Sequence, residues 1–124
     1  MMYEISQRFF FDSAHTLRRD IEAAGSRRVH GHTYYAEVFV RGEPQGQSGM
    51  VLDLGYVRRE IEGLREKLDH HFLDEVAGLG IPTLENLCAF IWKELQPKVP
   101  GLSAVSVERQ ALGDKCVYRP PVRS

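Results

Sequence analysis

Two histidines one residue apart, His30 and His32, open a run rich in aromatic and β-branched residues, His30-Gly31-His32-Thr33-Tyr34-Tyr35. In a strand, residues i and i+2 project from the same face, so this spacing offers two imidazole nitrogens to one cation. A third histidine, His15, ends an earlier strand-like run, Phe9-Phe10-Phe11-Asp12-Ser13-Ala14-His15. If the two runs pair as a hairpin, His15 and His30 sit at the same end. Three nitrogen ligands with no fourth protein ligand leave an open coordination position, as a catalytic zinc requires. Ligand type alone leaves iron, nickel and copper open as well.

A second constellation is Asp69-His70-His71. A carboxylate beside a histidine can orient the ring and support its protonated form, giving a general acid or base near neutral pH. A histidine at a helix exit also complements the helix macrodipole, and from the residues alone both readings stand. Arg18, Arg19, Arg27 and Arg28 lie between the histidine-bearing runs. They read either as a solvated loop or as a phosphate-binding fringe beside the metal, because guanidinium forks match phosphate oxygens.

The elements that must position these residues follow from periodicity. Tyr3 to Phe11 alternates mostly apolar Tyr3, Ile5, Phe9 and Phe11 with polar Glu4, Ser6 and Arg8, the period of a half-buried strand. Phe10 breaks the polar side, which predicts cover on both faces near the strand end. Thr33 to Arg41 reads as a second strand, the Gly42–Gly49 stretch as turn chemistry, and Met50-Val51-Leu52 as a short return to extended structure. Asp53 is placed to cap a helix in which Leu54, Val57, Ile61, Leu64 and Leu68 recur at helical spacing. Thr83 can cap a second helix carrying Leu84, Leu87, Cys88, Ile91 and Leu95, which Pro97 and Pro100 stop. Leu102–Gln110 and Lys115–Arg119 read as a closing hairpin around Leu112-Gly113-Asp114. The order strand, strand, helix, helix, strand, strand predicts an α+β domain with an antiparallel sheet and both helices on one face. The other sheet face then needs a partner, which a second subunit can supply.

Composition sets the outer bounds. The chain of 124 residues is expected to form one domain, 1–124, with 43% hydrophobic residues and a formal net charge of −1. That balance supplies no field to recruit nucleic acid or an anionic membrane. No apolar run approaches the roughly 20 residues that cross a bilayer, and Met1 to Arg8 lacks the pattern of a signal peptide. Cys88 and Cys116 are too few for a disulfide framework. The expectation is a cytoplasmic protein with two structural thiols.

Five motifs then carry a resemblance: Phe11-Asp12-Ser13-Ala14-His15, His30-Gly31-His32-Thr33-Tyr34, Val51-Leu52-Asp53, Leu68-Asp69-His70-His71 and Pro82-Thr83-Leu84-Glu85-Asn86. In this order they resemble the signatures of the 6-pyruvoyltetrahydropterin synthase and 6-carboxytetrahydropterin synthase family. The tail, Leu102 to Val105 and Cys116 to Arg119, is most similar to the bacterial queuosine-pathway branch. The resemblance implies the tunnelling fold and a homo-oligomer, commonly a hexamer of two trimers, with active sites between subunits. It implies zinc held by His15, His30 and His32, and a 7,8-dihydroneopterin triphosphate substrate whose side-chain carbons and oxygens the metal acidifies as a Lewis acid. Asp69 and His70 would relay protons, with Thr83 and Glu85 as substrate contacts.

Two positions depart from the family pattern. The catalytic cysteine of the family lies four residues before the first histidine of the His-Gly-His motif, and here that position is Ser26. A hydroxyl is a far weaker acid than a thiol, whose reference pKa is near 8.5, so Ser26 needs activation to serve as base. The family strand also carries a pterin-anchoring glutamate, which Val105-Ser106-Val107-Glu108-Arg109 offers one position early. Strand alternation turns Glu108 to the other face unless a β-bulge restores it; otherwise Arg109 occupies the anchor position.

Two other functions compete with a zinc-dependent lyase. A paralogue could keep the metal and pterin while losing the chemistry. A cupin-type metal enzyme could use His30, His32 and Glu37, but two amphipathic helices fit a small all-β barrel badly.

Overall fold

The computed structural model describes residues 1–15 and 30–121, and of residue 30 the backbone alone. Within it, β1 (Tyr3–His15) and β2 (His30–Gly42) precede helices α1 (Leu54–Leu68) and α2 (Leu84–Leu95), and β3 (Leu102–Arg109) and β4 (Asp114–Tyr118) close the chain. The strands form one antiparallel sheet in the order β1-β2-β3-β4. This is the α+β arrangement the periodicity predicts. Both hairpin strands run further toward the histidines than the alternation pattern alone marked. Met50-Val51-Leu52 is a bend rather than a return to extended structure. The Arg-rich segment with Ser26 lies outside the described residues.

One face of the sheet is covered. Phe11 stands opposite Tyr34 and Phe9 opposite Ala36, while Ala36 pairs with Val107 and Val38 with Val105. Phe11, Tyr34, Ala36, Val38, Val105 and Val107 are all buried, in one cluster with Val57, Ile61, Leu64 and Leu68 of α1 and Leu87, Ile91 and Leu95 of α2. Each fully buried side chain of this size stabilises by about 1.5–3 kcal/mol, so the cluster fixes which residues face the helices. Phe10, on the other face, remains 47% exposed, against the expectation of cover on both sides.

Local chemistry sets the helix ends. The Asp53 carboxylate accepts from the Gly55 N–H at 2.8 Å, and the Thr83 hydroxyl accepts from the Asn86 N–H at 3.1 Å, each meeting an otherwise unpaired first-turn donor. Gly101, at φ 78°, lets the chain turn into β3 against β2, where the Arg41 N–H bonds the Gly101 carbonyl at 2.9 Å. A Cβ there would stand 2.6 Å from the Arg41 carbonyl oxygen. Gly101→Ala is therefore expected to lower unfolding stability by about 1–3 kcal/mol, read by urea denaturation; an unchanged midpoint would contradict the close approach.

Candidate metal and proton-transfer site

The strand pairing brings the histidine positions together. His15 stands directly across from residue 30, and Ser13 across from His32, so positions 13, 15, 30 and 32 share the helix-covered face at one end of the β1–β2 hairpin. His15 is 1% exposed. Its ring stacks on that of His32 with centroids 4.9 Å apart and planes 25° from parallel. Two imidazoles bound to one tetrahedral cation at about 2.0–2.1 Å hold their ring centres roughly 5 Å apart, a spacing the observed pair matches. Among the described residues no group of three or more His, Cys, Asp or Glu side chains gathers; the third imidazole, of His30, is outside the description.

Tyr34 lies beneath the pair, its ring 5.9 Å from His32 and 6.1 Å from His15. It stacks on Phe11 at 5.1 Å. Burial pushes the Tyr34 hydroxyl up to about 12, partly offset by the Arg109 guanidinium. At neutral pH this phenol is a packed floor with its proton in place, not a base. The sequence marks Tyr34 only as a strand residue beside the histidines.

Asp69 and His70 reach the same place from the end of α1. Asp69 is the helix C-cap, with extended backbone. Its Oδ1 accepts from the Asp12 N–H at 2.9 Å, and its Oδ2 lies 2.8 Å from His70 Nδ1. His70 adopts φ 58°, a conformation rare outside glycine, held by its N–H donating to the Asp12 carbonyl at 2.6 Å. One residue later the His71 carbonyl accepts from the Ala14 N–H at 3.2 Å, and Phe72 forms a bridge beside Ala14. The 69–72 segment thus runs along the outer edge of β1, whose other edge pairs β2. An open cavity of about 480 Å³ lies there, lined by Asp12, Ser13, Gly31, His32, Thr33 and His70 among others. The Thr33 hydroxyl donates to the Asp12 carboxylate at its rim.

The Asp69 carboxyl is held below the ordinary value of 3.8, chiefly by the Asp12 N–H and further by His70 and Arg65, against a raising effect of burial. An ionised carboxylate only accepts hydrogen bonds. His70 Nδ1 must therefore be the donor, which leaves Nε2 to exchange protons with a ligand. Arg65, outside every motif quoted above, places Nη2 3.3 Å from the same Asp69 Oδ2. Its Nε donates to the Phe10 carbonyl at 2.6 Å.

The remaining candidates fall elsewhere. Glu108 pairs with Tyr35 and Lys115 in an uninterrupted ladder, the one irregularity between β2 and β3 falling at Phe39/Val40. No bulge turns it, and its carboxylate meets Arg8 at 3.5 Å, away from the histidines. Arg109 faces the histidine side, 7% exposed, and donates to Asp114 Oδ2 at 2.8 Å. Thr83 is engaged in capping α2, and neither Thr83 nor Glu85 lines the cavity. Cys88 is buried against β3 and β4, its thiol pushed up to about 12 by burial and by Cys116; neither thiol lines the cavity. Ser26 lies outside the described residues.

Residues 4–121 match the family described as 6-pyruvoyl tetrahydropterin synthase. The chain is 33% identical over 112 residues to a 6-carboxy-5,6,7,8-tetrahydropterin synthase of Synechocystis, covering 86% of this chain and 85% of that protein. It is also 33% identical over 101 residues to a dihydroneopterin monophosphate aldolase of Pyrococcus furiosus, covering 82% of each. The fold matches that of Caenorhabditis elegans 6-pyruvoyl tetrahydropterin synthase with a TM-score of 0.85 at 24% identity, over 98% of this chain and 97% of that one.

The lowered Asp69 value has a direct consequence. Its contribution to stability is fully present above the unfolded carboxyl's 3.8 and is lost as pH falls through the lower folded value. The stability difference between wild type and Asp69→Asn, measured by urea unfolding, is expected to shrink as pH falls from about 5 to about 2. A flat difference would contradict it.

Proposed function

Because this chain belongs to the 6-pyruvoyl tetrahydropterin synthase family, we propose that it is a zinc-dependent lyase of the 6-carboxy or 6-pyruvoyl type, acting on 7,8-dihydroneopterin triphosphate. The observation that carries the reading is the convergence of His32 and His70 on one open cavity, with His15 packed against His32 behind it.

His15, His30 and His32 would hold the zinc. Bound there, it would act as a Lewis acid on the hydroxyls of the pterin side chain. His70 presents Nε2 to the cavity and moves protons at the side-chain carbons. Asp69 fixes the ring through Nδ1, so that the same atom always faces the substrate. Ser26 stands at the position of the family's cysteine and, as a weak acid, leaves most proton transfer to His70. The family resemblance further supports a homo-oligomer, in keeping with a hexamer whose sites lie between subunits, and a cytoplasmic setting. Among the described residues no helix is long and apolar enough to cross a membrane.

A second reading is favoured by one observation: Arg109, not Glu108, faces the histidine side. A guanidinium donates where a carboxylate would accept, so a neutral pterin ring would lose a paired acceptor. In that reading the chain is a zinc- and pterin-binding relative whose chemistry is impaired or repurposed.

Turnover of dihydroneopterin triphosphate by zinc-loaded wild type and by Ser26→Cys separates the two. Conversion by both, faster in Ser26→Cys, is the expected result. Binding seen by calorimetry with no product would establish the second reading, and neither binding nor product would reject both. His70→Ala is expected to lower kcat by about 10²–10⁴ while zinc content, measured by elemental analysis, stays unchanged. His32→Ala is expected to lose the metal.

A further inference from the structure

The Asp69 carboxylate has a third partner that the family motifs do not contain. Arg65 sits one turn before Asp69 on α1 and reaches round the outer edge of β1. Its Nε donates to the Phe10 carbonyl at 2.6 Å, and its guanidinium carbon lies 5.1 Å from the centre of the Phe10 ring. Its Nη2 approaches Asp69 Oδ2 at 3.3 Å. That is the oxygen His70 Nδ1 contacts at 2.8 Å. The guanidinium is planar and rigid. Fixing it on a strand carbonyl and an aromatic face therefore fixes where its outer nitrogen can meet the carboxylate.

The bland account of such a contact is an i,i+4 ion pair on a helix surface, which contributes little. Two features set this one apart. The Arg65 side chain is only 26% exposed and that of Asp69 15%, so neither moves freely in water. The two Asp69 oxygens are also divided: Oδ1 is taken by the Asp12 N–H, and Oδ2 is shared between Arg65 and His70. Rotation of the carboxylate would break contacts to both strand and helix.

We infer that Arg65 is a positioning residue for proton transfer: clamped between the β1 edge and Asp69, it fixes the carboxylate plane and so holds His70 with Nδ1–H toward Asp69 and Nε2 toward the cavity. Arg65 does not line the cavity, so it acts through Asp69 and not on the substrate. The inference rests on His70 as the proton-transfer residue.

The test is long-range ¹H–¹⁵N NMR of substrate-free, histidine-labelled protein, with steady-state kinetics alongside. Wild type is expected to show His70 protonated at Nδ1 in its neutral form. Arg65→Gln is expected to mix the two tautomers and to lower kcat between about 10- and 100-fold with KM unchanged, as for a misplaced catalytic group. Arg65→Lys, which restores a cation beside Asp69, is expected to recover most of the wild-type tautomer signal. If Arg65→Gln fails to fold, Arg65→Met keeps an apolar stem against Phe10 and is read in the same way. An unchanged His70 tautomer in the folded variant, or a loss of activity carried by KM, overturns the inference. Because the NMR readout needs no substrate, failure of the lyase assignment would leave it standing or falling on its own.

Discussion

The outer edge of β1 is the constraint on which the site depends. A strand at the margin of a sheet exposes N–H and C=O groups that must be paired, covered or left to water. Between Phe10 and Ala14 they meet the last turn of α1 and the segment leaving it: the Phe10 carbonyl meets Arg65, the Asp12 N–H and carbonyl meet Asp69 and His70, and the Ala14 N–H meets His71. Satisfying that edge is the same act as delivering Asp69 and His70 to the histidine pair. The left-handed backbone of His70 is tolerated because bonds on both sides determine it.

The two halves of the site therefore have different foundations. His15 and His32 belong to the paired strands β1 and β2, backed by Phe11 and Tyr34, and their position follows from the register of β1 against β2. His70 belongs to a short docked segment, and its position follows from a few directed hydrogen bonds. Displacing the first would disturb the core, whereas the second can be loosened by removing one polar partner.

This difference explains what could be read in the amino-acid order. The alternation of β1 and β2 and the stripe from Leu54 to Leu68 identify their elements because apolar burial on one face is periodic. The meeting of His15 with His32 follows from hairpin pairing alone. Arg65 escaped notice because its partners are a backbone carbonyl and a ring 55 residues earlier, and periodicity carries no signal for such a contact. The short apolar run at Met50–Leu52 has the composition of a strand, but among the described residues it pairs with none of the four strands and forms a bend. Whether Glu108 or Arg109 faces the histidines depended on a bulge that composition could neither require nor exclude. The ladder through Val107 and Glu108 settles that one point of geometry.

That ladder also limits how the chain can drift over evolutionary time. Sliding β3 one place to exchange Glu108 for Arg109 would carry Val105 and Val107 off the helix-packed face and leave the smaller Ala104 and Ser106 in their places in the core, a loss a small domain has little stability in reserve to absorb. A slip of the whole strand is thus a closed route. A substitution at position 109 changes the sign of the charge on the histidine side without moving the strand, which makes ligand preference and core integrity separately heritable.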